Sequence, residues 1–183
     1  MWGVGPLPIS TLEDMSLELE HRGPDGHGYL LYKPGQRLAS VPEMELAASE
    51  PILDVNVAFA HRRLSIIDLD RRSDQPMVDH QNGLALAYNG EVYNYVEIRS
   101  ELEGMGYSFN TASDTEVILR AYHAWGISCL ERFIGMWAFA LLDVPHRRLV
   151  LSRDRFGIKP LYYARIPGGW AFGSEIKGML RAG

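Results

Sequence analysis

The chain has a single cysteine, Cys129, in 183 residues. One thiol rules out a disulfide framework and a cysteine-based zinc site, and it favours the cytoplasm over an oxidising compartment. No apolar run approaches the ~18 residues that a membrane-crossing helix needs. The N-terminus lacks a basic stretch followed by an apolar one, so no signal peptide is expected. Excess positive charge is missing too. The net charge is −5, which argues against nucleic acid or an anionic membrane as a partner. There is no block of like charge, no internal repeat and no low-complexity linker.

What is present is ordinary for a soluble globular protein: 46% hydrophobic and 22% charged residues, enough apolar material for a sizeable core. Runs such as "MWAFALL" and "LALAY" are near-continuously apolar, which reads as strands covered on both faces. Strands are expected at 28–33, 57–62, 84–88, 136–142, 148–153, 160–164 and 169–173. Helices are expected at about 11–20, 94–104 and 114–125, with a further Ser-led start at Ser174. A capping box, Ser113 with Glu116, opens the third of them. The segment 34–56 reads as a long surface excursion. Strands outnumber helices, and the helices come singly between strand groups. The expected fold class is therefore α+β, two sheets packed together with helices outside.

The stretch "LALAYNGEVYNYVEI" (84–98) runs from an apolar strand straight into Asn89, Gly90 and Glu91, with a helix expected at once. Asn-Gly after a strand is by itself a tight-turn signal. It is also a pair in which a side-chain amide and a backbone N–H can face one oxygen, as an oxyanion hole requires. Glycine lets that backbone approach a ligand with no Cβ in the way. Arg63, in "HRRLSIIDL", can hold a carboxylate bidentately; alone it would read as a surface ion pair. Asp114, in a first helical turn, reads either as favourable charge at the helix N-terminus or as the counter-charge of an ammonium. An oxyanion hole, a carboxylate clamp and an ammonium clamp together describe a site for an amino acid with a reactive side-chain carbonyl. His21, His27 and His61 have no carboxylate or cysteine at metal-ligand spacing, so no metal site is expected. "RDRFGIKP" (153–160) reads as an ion-pair network between sheet and loop.

Seven motifs follow one another in order: "HRGPDGHGY" (21–29), "AHRRLSIIDL" (60–69), "DQPM" (74–77), "LAYNGEVYNY" (86–95), "SDTEVIL" (113–119), "GMWAFALLD" (135–143) and "RDRFGIKPLYY" (153–163). In this order and wording they resemble the glutamine amidotransferase domain of asparagine synthetase and its relatives, the class II or N-terminal-nucleophile type. The resemblance runs from about residue 10 to the end. It implies a four-layer αββα sandwich, two stacked antiparallel sheets flanked by helices. It implies hydrolysis of glutamine by a thiolate, releasing ammonia and then glutamate. By resemblance, Asn89 and Gly90 match the oxyanion hole, and Arg63 matches the holder of the α-carboxylate. Asp114, with Glu91 nearby, matches the α-ammonium site. Leu64 and Ile66 match the pocket walls.

The nucleophile departs from the family pattern. The family opens Met-Cys-Gly-Ile, and this chain opens "MWGVGPLPIS", with Trp2 where cysteine is expected. Indole has no atom suited to acyl transfer. Only 18 residues separate Trp2 from His21, fewer than the family has, so a shortened first strand is expected. An exposed strand edge is expected to follow, and with it a homodimer or poor solubility, unless "MWGVGPLPI" refills the place. Residues 1–183 are expected to form one glutaminase domain, with no "SGGxDS"-type loop and no synthetase domain. No cofactor is expected here, since ATP and magnesium would belong to the synthetase domain or subunit that is the implied partner. Two functional classes stay open: a glutaminase domain that lacks its nucleophile, and a non-catalytic module that binds glutamine or glutamate or docks on a synthetase.

Overall fold

The computed structural model describes residues 2–3, 6–41, 52–63 and 74–182. In chain order the elements are β1 (Trp2–Gly3), β2 (Pro6–Pro8), α1 (Ile9–Leu17), β3 (Gly26–Tyr32), β4 (Ala39–Val41), β5 (Ile52–Asp54) and β6 (Val57–Arg63). Then come β7 (Met77–Asp79), β8 (Leu84–Val92), α2 (Tyr95–Gly104), α3 (Asp114–Trp125), α4 (Cys129–Arg132), β9 (Gly135–Asp143), β10 (Arg148–Arg153), β11 (Tyr162–Ile166), β12 (Gly169–Gly173) and α5 (Ile176–Met179). They fall into two compact units. One takes the residues up to Arg63 together with those from Pro160 on; the other takes Asp74 to Lys159.

The first unit holds a six-stranded antiparallel sheet in the order β11-β12-β1-β6-β3-β4, and a small ladder of β2 with β5. Its helix α1 turns Ile9 and Leu12 onto Tyr29 of β3 and Ala58 of β6. Trp2 sits in register with Trp170 of β12 and with Val57 of β6. Among the described residues, the place between those strands is taken by Trp2–Gly3 of β1. A charged cluster joins the two ends of the chain. Glu175 accepts from Arg22 and His21, and Arg181 bonds Glu18 at 2.5 Å. The Arg22 guanidinium, foremost, holds the Glu175 carboxyl down to about 2.

The second unit holds a four-stranded antiparallel sheet, β10-β9-β8-β7. Alternate residues of β8 (Leu84, Leu86, Tyr88, Val92) and β9 (Trp137, Phe139, Leu141) pack on Ile98 and Leu102 of α2 and on Val117, Ile118 and Ala121 of α3. The intervening residues Ala85, Ala138, Ala140 and Leu142 are buried as well. Both faces of this sheet are thus covered, as near-continuous apolar runs require.

Four local expectations change. The strand beginning at Leu84 does not stop at Tyr88. It stays paired with β9 as far as Val92 opposite Gly135, so Asn89-Gly90 lies within a strand, while α2 begins at Tyr95, where the helix at about 94–104 is expected. The excursion at 34–56 contains β4 and β5. The capping box is not made at Ser113, whose hydroxyl forms no cap bond. Glu116 reaches further back and accepts from the N–H groups of Asn110 and Thr111, the latter at 2.7 Å. That rigidifies the loop before α3 instead.

The fourth change concerns "RDRFGIKP", whose charges bond backbone groups. Asp154 accepts from the N–H groups of Trp137, Phe156, Ile158 and Lys159. Arg153 donates to the carbonyls of Gly157 and Lys159, and Arg155 to those of Phe133, Leu130 and Glu131. Burial acts to raise the Asp154 carboxyl, but the four N–H donors outweigh it and hold it below the ordinary range. Replacing Asp154 by Asn should therefore cost about 2–3 kcal/mol at neutral pH, the scale of hydrogen bonds to a charged group. A depressed carboxyl stabilises above its unfolded value, near pH 4, and that contribution is lost as pH falls through the folded one. The gap between wild type and Asp154→Asn in urea denaturation should hold from neutral pH down to about pH 5 and shrink below it.

Candidate functional site

β7 pairs only with Leu84–Leu86 of β8. Beyond Leu86, that edge of β8 is covered by side chains. In an extended strand the N–H groups of every second residue leave on the same side, so those of Tyr88, Gly90 and Val92 point together to this edge. The Tyr88 N–H donates to Gln75 Oε1 at 2.6 Å. The Val92 N–H donates to Asp114 Oδ2 at 3.0 Å. The Gly90 N–H leaves the strand between these two closed positions. The next residue keeps the alternation, for the Tyr93 N–H turns the other way, to the Ile134 carbonyl at 2.8 Å.

Gly90 is required where it stands. A Cβ there would lie 2.2 Å from the Met136 carbonyl oxygen, and a Cβ at Gly135 would lie 2.1 Å from that of Glu91. Two glycines on paired strands let β8 and β9 approach at this point. Asn89 and Glu91 are half-buried, in register with Ala138 and Met136.

Asp114 is the first residue of α3 and is only 5% exposed. Its Oδ2 also accepts from the Tyr88 hydroxyl at 2.6 Å. Burial pushes the Asp114 carboxyl above the ordinary range; Tyr88 and the N–H groups of Val92 and Thr115 pull it back, and Glu91 adds to the rise. Burial, and next the Asp114 charge, push the Tyr88 phenol far up, so it stays a donor. Asp114 is charge in a first helical turn, and its carboxylate is held against the strand carrying Asn89 and Gly90.

Arg63 ends β6 in the other unit, half-buried, in register with Gly26 of β3. Its carbonyl accepts from the Asp25 N–H at 3.1 Å. Leu64 and Ile66 lie outside the described residues. Cys129 is fully buried, and burial pushes its thiol up to about 12. His21 lies 2.9 Å from Glu175 in the charged cluster, and the His27 ring stands edge-on to Tyr29. Two residues of this edge, Gln75 and Tyr88, had no role in the reading of the sequence. Both sit in the motifs "DQPM" and "LAYNGEVYNY", but neither has a periodicity or a charge that marks it.

A family model for the glutamine amidotransferase domain matches residues 47–183. Asparagine synthetase [glutamine-hydrolyzing] 1 of Bacillus subtilis is 37% identical over 171 residues, covering 93% of this chain and 23% of that protein. A putative asparagine synthetase [glutamine-hydrolyzing] 2 of Methanocaldococcus jannaschii is 33% identical over 92% of this chain and 32% of its own length. A putative asparagine synthetase of Mycobacterium tuberculosis is 46% identical over 129 residues, 68% of this chain and 20% of that protein. The chain thus spans between a fifth and a third of the length of these relatives. Among solved structures, the glutamine phosphoribosylpyrophosphate amidotransferase of B. subtilis, complexed with ADP and GMP, superposes with a TM-score of 0.75. That match covers 93% of this chain and 40% of the other at 22% identity, a likeness of fold. With two antiparallel sheets, each carrying helices, it bears out the expected fold class.

Proposed function

The chain belongs to the glutamine amidotransferase domain family, and from that premise we propose that it binds glutamine as the glutaminase part of an asparagine-synthetase-like enzyme does. The family reaction converts glutamine and water to glutamate and ammonia for amide transfer. The observation that carries the reading is the edge of β8, where Gln75 and Asp114 close the N–H groups on either side of Gly90. A donor set between two closed neighbours is aimed at a ligand oxygen and not at another strand. In this reading Asn89 and Gly90 are the oxyanion donors, and Asp114 with Glu91 takes the α-ammonium. Arg63 as the α-carboxylate holder, and Leu64 and Ile66 as pocket walls, rest on the family resemblance. The domain itself needs no cofactor; ATP and magnesium go with the synthetase part that is the proposed partner, and the proposed location is the cytoplasm.

Calorimetric titration of the purified chain with L-glutamine tests this. Wild type should give saturable heats, and Arg63→Ala should bind at least about tenfold more weakly, as loss of charge-assisted bonds to a carboxylate predicts. Equal heats from both, or none from either, would remove the site. One observation favours the second reading, a non-catalytic module that docks on a synthetase: the chain's single thiol is buried and protonated.

A further inference from the structure

Resting on the reading of Asp114 as the ammonium counter-charge, we infer that Tyr88 is a positioning residue for glutamine recognition, its hydroxyl fixing the Asp114 carboxylate against β8. The Ser113 hydroxyl makes no cap bond at the start of α3. The carboxylate that follows it is held instead by two donors of β8, the Tyr88 hydroxyl at 2.6 Å and the Val92 N–H at 3.0 Å. Those donors bracket Asn89, Gly90 and Glu91. The carboxylate is thereby fixed to the same short span that presents the oxyanion donors.

Tyr88 is suited to this task. Its ring is buried in the core with 4% exposure. Its backbone stands in register with Phe139 across the ladder, and its N–H donates to Gln75 at the edge. A phenol hydroxyl fixed from both sides sets where the carboxylate oxygen sits. An α-amino acid whose ammonium meets Asp114 then has its side-chain carbonyl carried toward Gly90 by a set length. Side-chain length and the α-ammonium are read together.

The titratable groups that bear on the Asp114 charge are Tyr88 and Glu91, both of β8, beside the N–H groups of Val92 and Thr115. Loss of the Tyr88 hydroxyl removes a bond that favours the carboxylate, so ionisation of Asp114 would need a higher pH. A residue that merely fills the core would not move that property.

The test compares two probes by calorimetry across pH 5–8. One is L-glutamine. The other is glutaramate, which keeps the carboxamide and the carboxylate but has hydrogen in place of the α-ammonium. Tyr88→Phe keeps the ring. It should bind glutamine about tenfold more weakly at neutral pH, bind glutaramate as wild type does, and begin to bind glutamine at a higher pH than wild type. In an Asp114→Asn background, Tyr88→Phe should change glutamine binding no further. Equal weakening of both probes, an unmoved pH onset, or additive loss in the double variant would overturn the positioning role while the glutamine site stands. A wild-type chain that binds neither probe would overturn both.

Discussion

Incubated with glutamine, the purified chain will release no ammonia above the uncatalysed background. An oxyanion hole acts only after a nucleophile has attacked the carbonyl, and the attacker in this family is a thiolate. The chain's single cysteine is the wrong group in the wrong state: Cys129 is fully buried, and its thiol is pushed up to about 12. Removing the nucleophile from an acyl-transfer site costs on the order of 10⁶ in rate, and what the remaining groups supply is slight. A coupled glutamate dehydrogenase assay reads the outcome. Robust turnover would mean that another side chain attacks the carboxamide.

The register of β1 extends this to Trp2→Cys, which should also be inactive. Trp2 lies opposite Val57, at the start of β6, and Arg63 ends that strand six positions later. At about 3.4 Å per residue the two positions are roughly 20 Å apart along the strand, whereas misplacement by ~1 Å is already costly to catalysis. Antiparallel pairing sends the chain before Trp2 toward Arg63. An engineered extension of about five residues ahead of Met1, opening Cys-Gly-Ile after processing, would bring its cysteine opposite Arg63 if the ladder continues. That variant should gain ammonia release. Activity in Trp2→Cys, or none in the extended variant despite glutamine binding, would contradict this register argument.

The elements were legible wherever apolar periodicity carried them. The run Gly135–Asp143 reads as a doubly covered strand and is one, and Asp114–Trp125 opens as a helix where Ser113 marks it. Polar chemistry was less legible, because it depends on which groups tertiary contact supplies. Asn89-Gly90 reads as a turn from its local preference, yet the partner β9 keeps it extended, and no pattern within "LAYNGEVYNY" announces Gly135 across the ladder. "RDRFGIKP" reads as ion pairs because charges are visible in sequence and backbone partners are not. Gln75 takes its meaning solely from where β7 begins. The roles expected of Asn89, Gly90 and Asp114 came from the order of seven motifs. Tertiary contact added the bracketing of Gly90 by Gln75 and Asp114 and the bond from Tyr88 to Asp114.

Gly90→Ala should destabilise the chain by about 3 kcal/mol or more, the upper end of what overpacking and backbone strain produce. The new Cβ would meet the Met136 carbonyl oxygen at 2.2 Å and the Trp137 Cα at 2.7 Å. Both are backbone atoms of the paired strand, so no side chain can swing aside to make room. Relief requires β8 and β9 to separate where Gly90 faces Trp137. That separation loosens the Trp137 contact with Phe133, whose rings meet at 5.7 Å in the core. Gly135→Ala meets the mirror obstacle, the Glu91 carbonyl oxygen at 2.1 Å, and should cost a similar amount. Because one widening of the ladder serves both, the double variant should cost clearly less than the sum of the two. Gly104→Ala is the control: nothing lies within 4 Å of its Cβ position, and at the end of a helix it should be neutral or stabilising by up to ~1 kcal/mol. For a unit of this size each kcal/mol moves the melting temperature by about 4–8 °C, so differential scanning calorimetry resolves all four variants. A Gly90→Ala protein that melts with wild type would show that the close approach of β8 and β9 is not needed. The same variant should lose glutamine binding even at temperatures where it stays folded, since the Gly90 N–H moves with the strand that carries it.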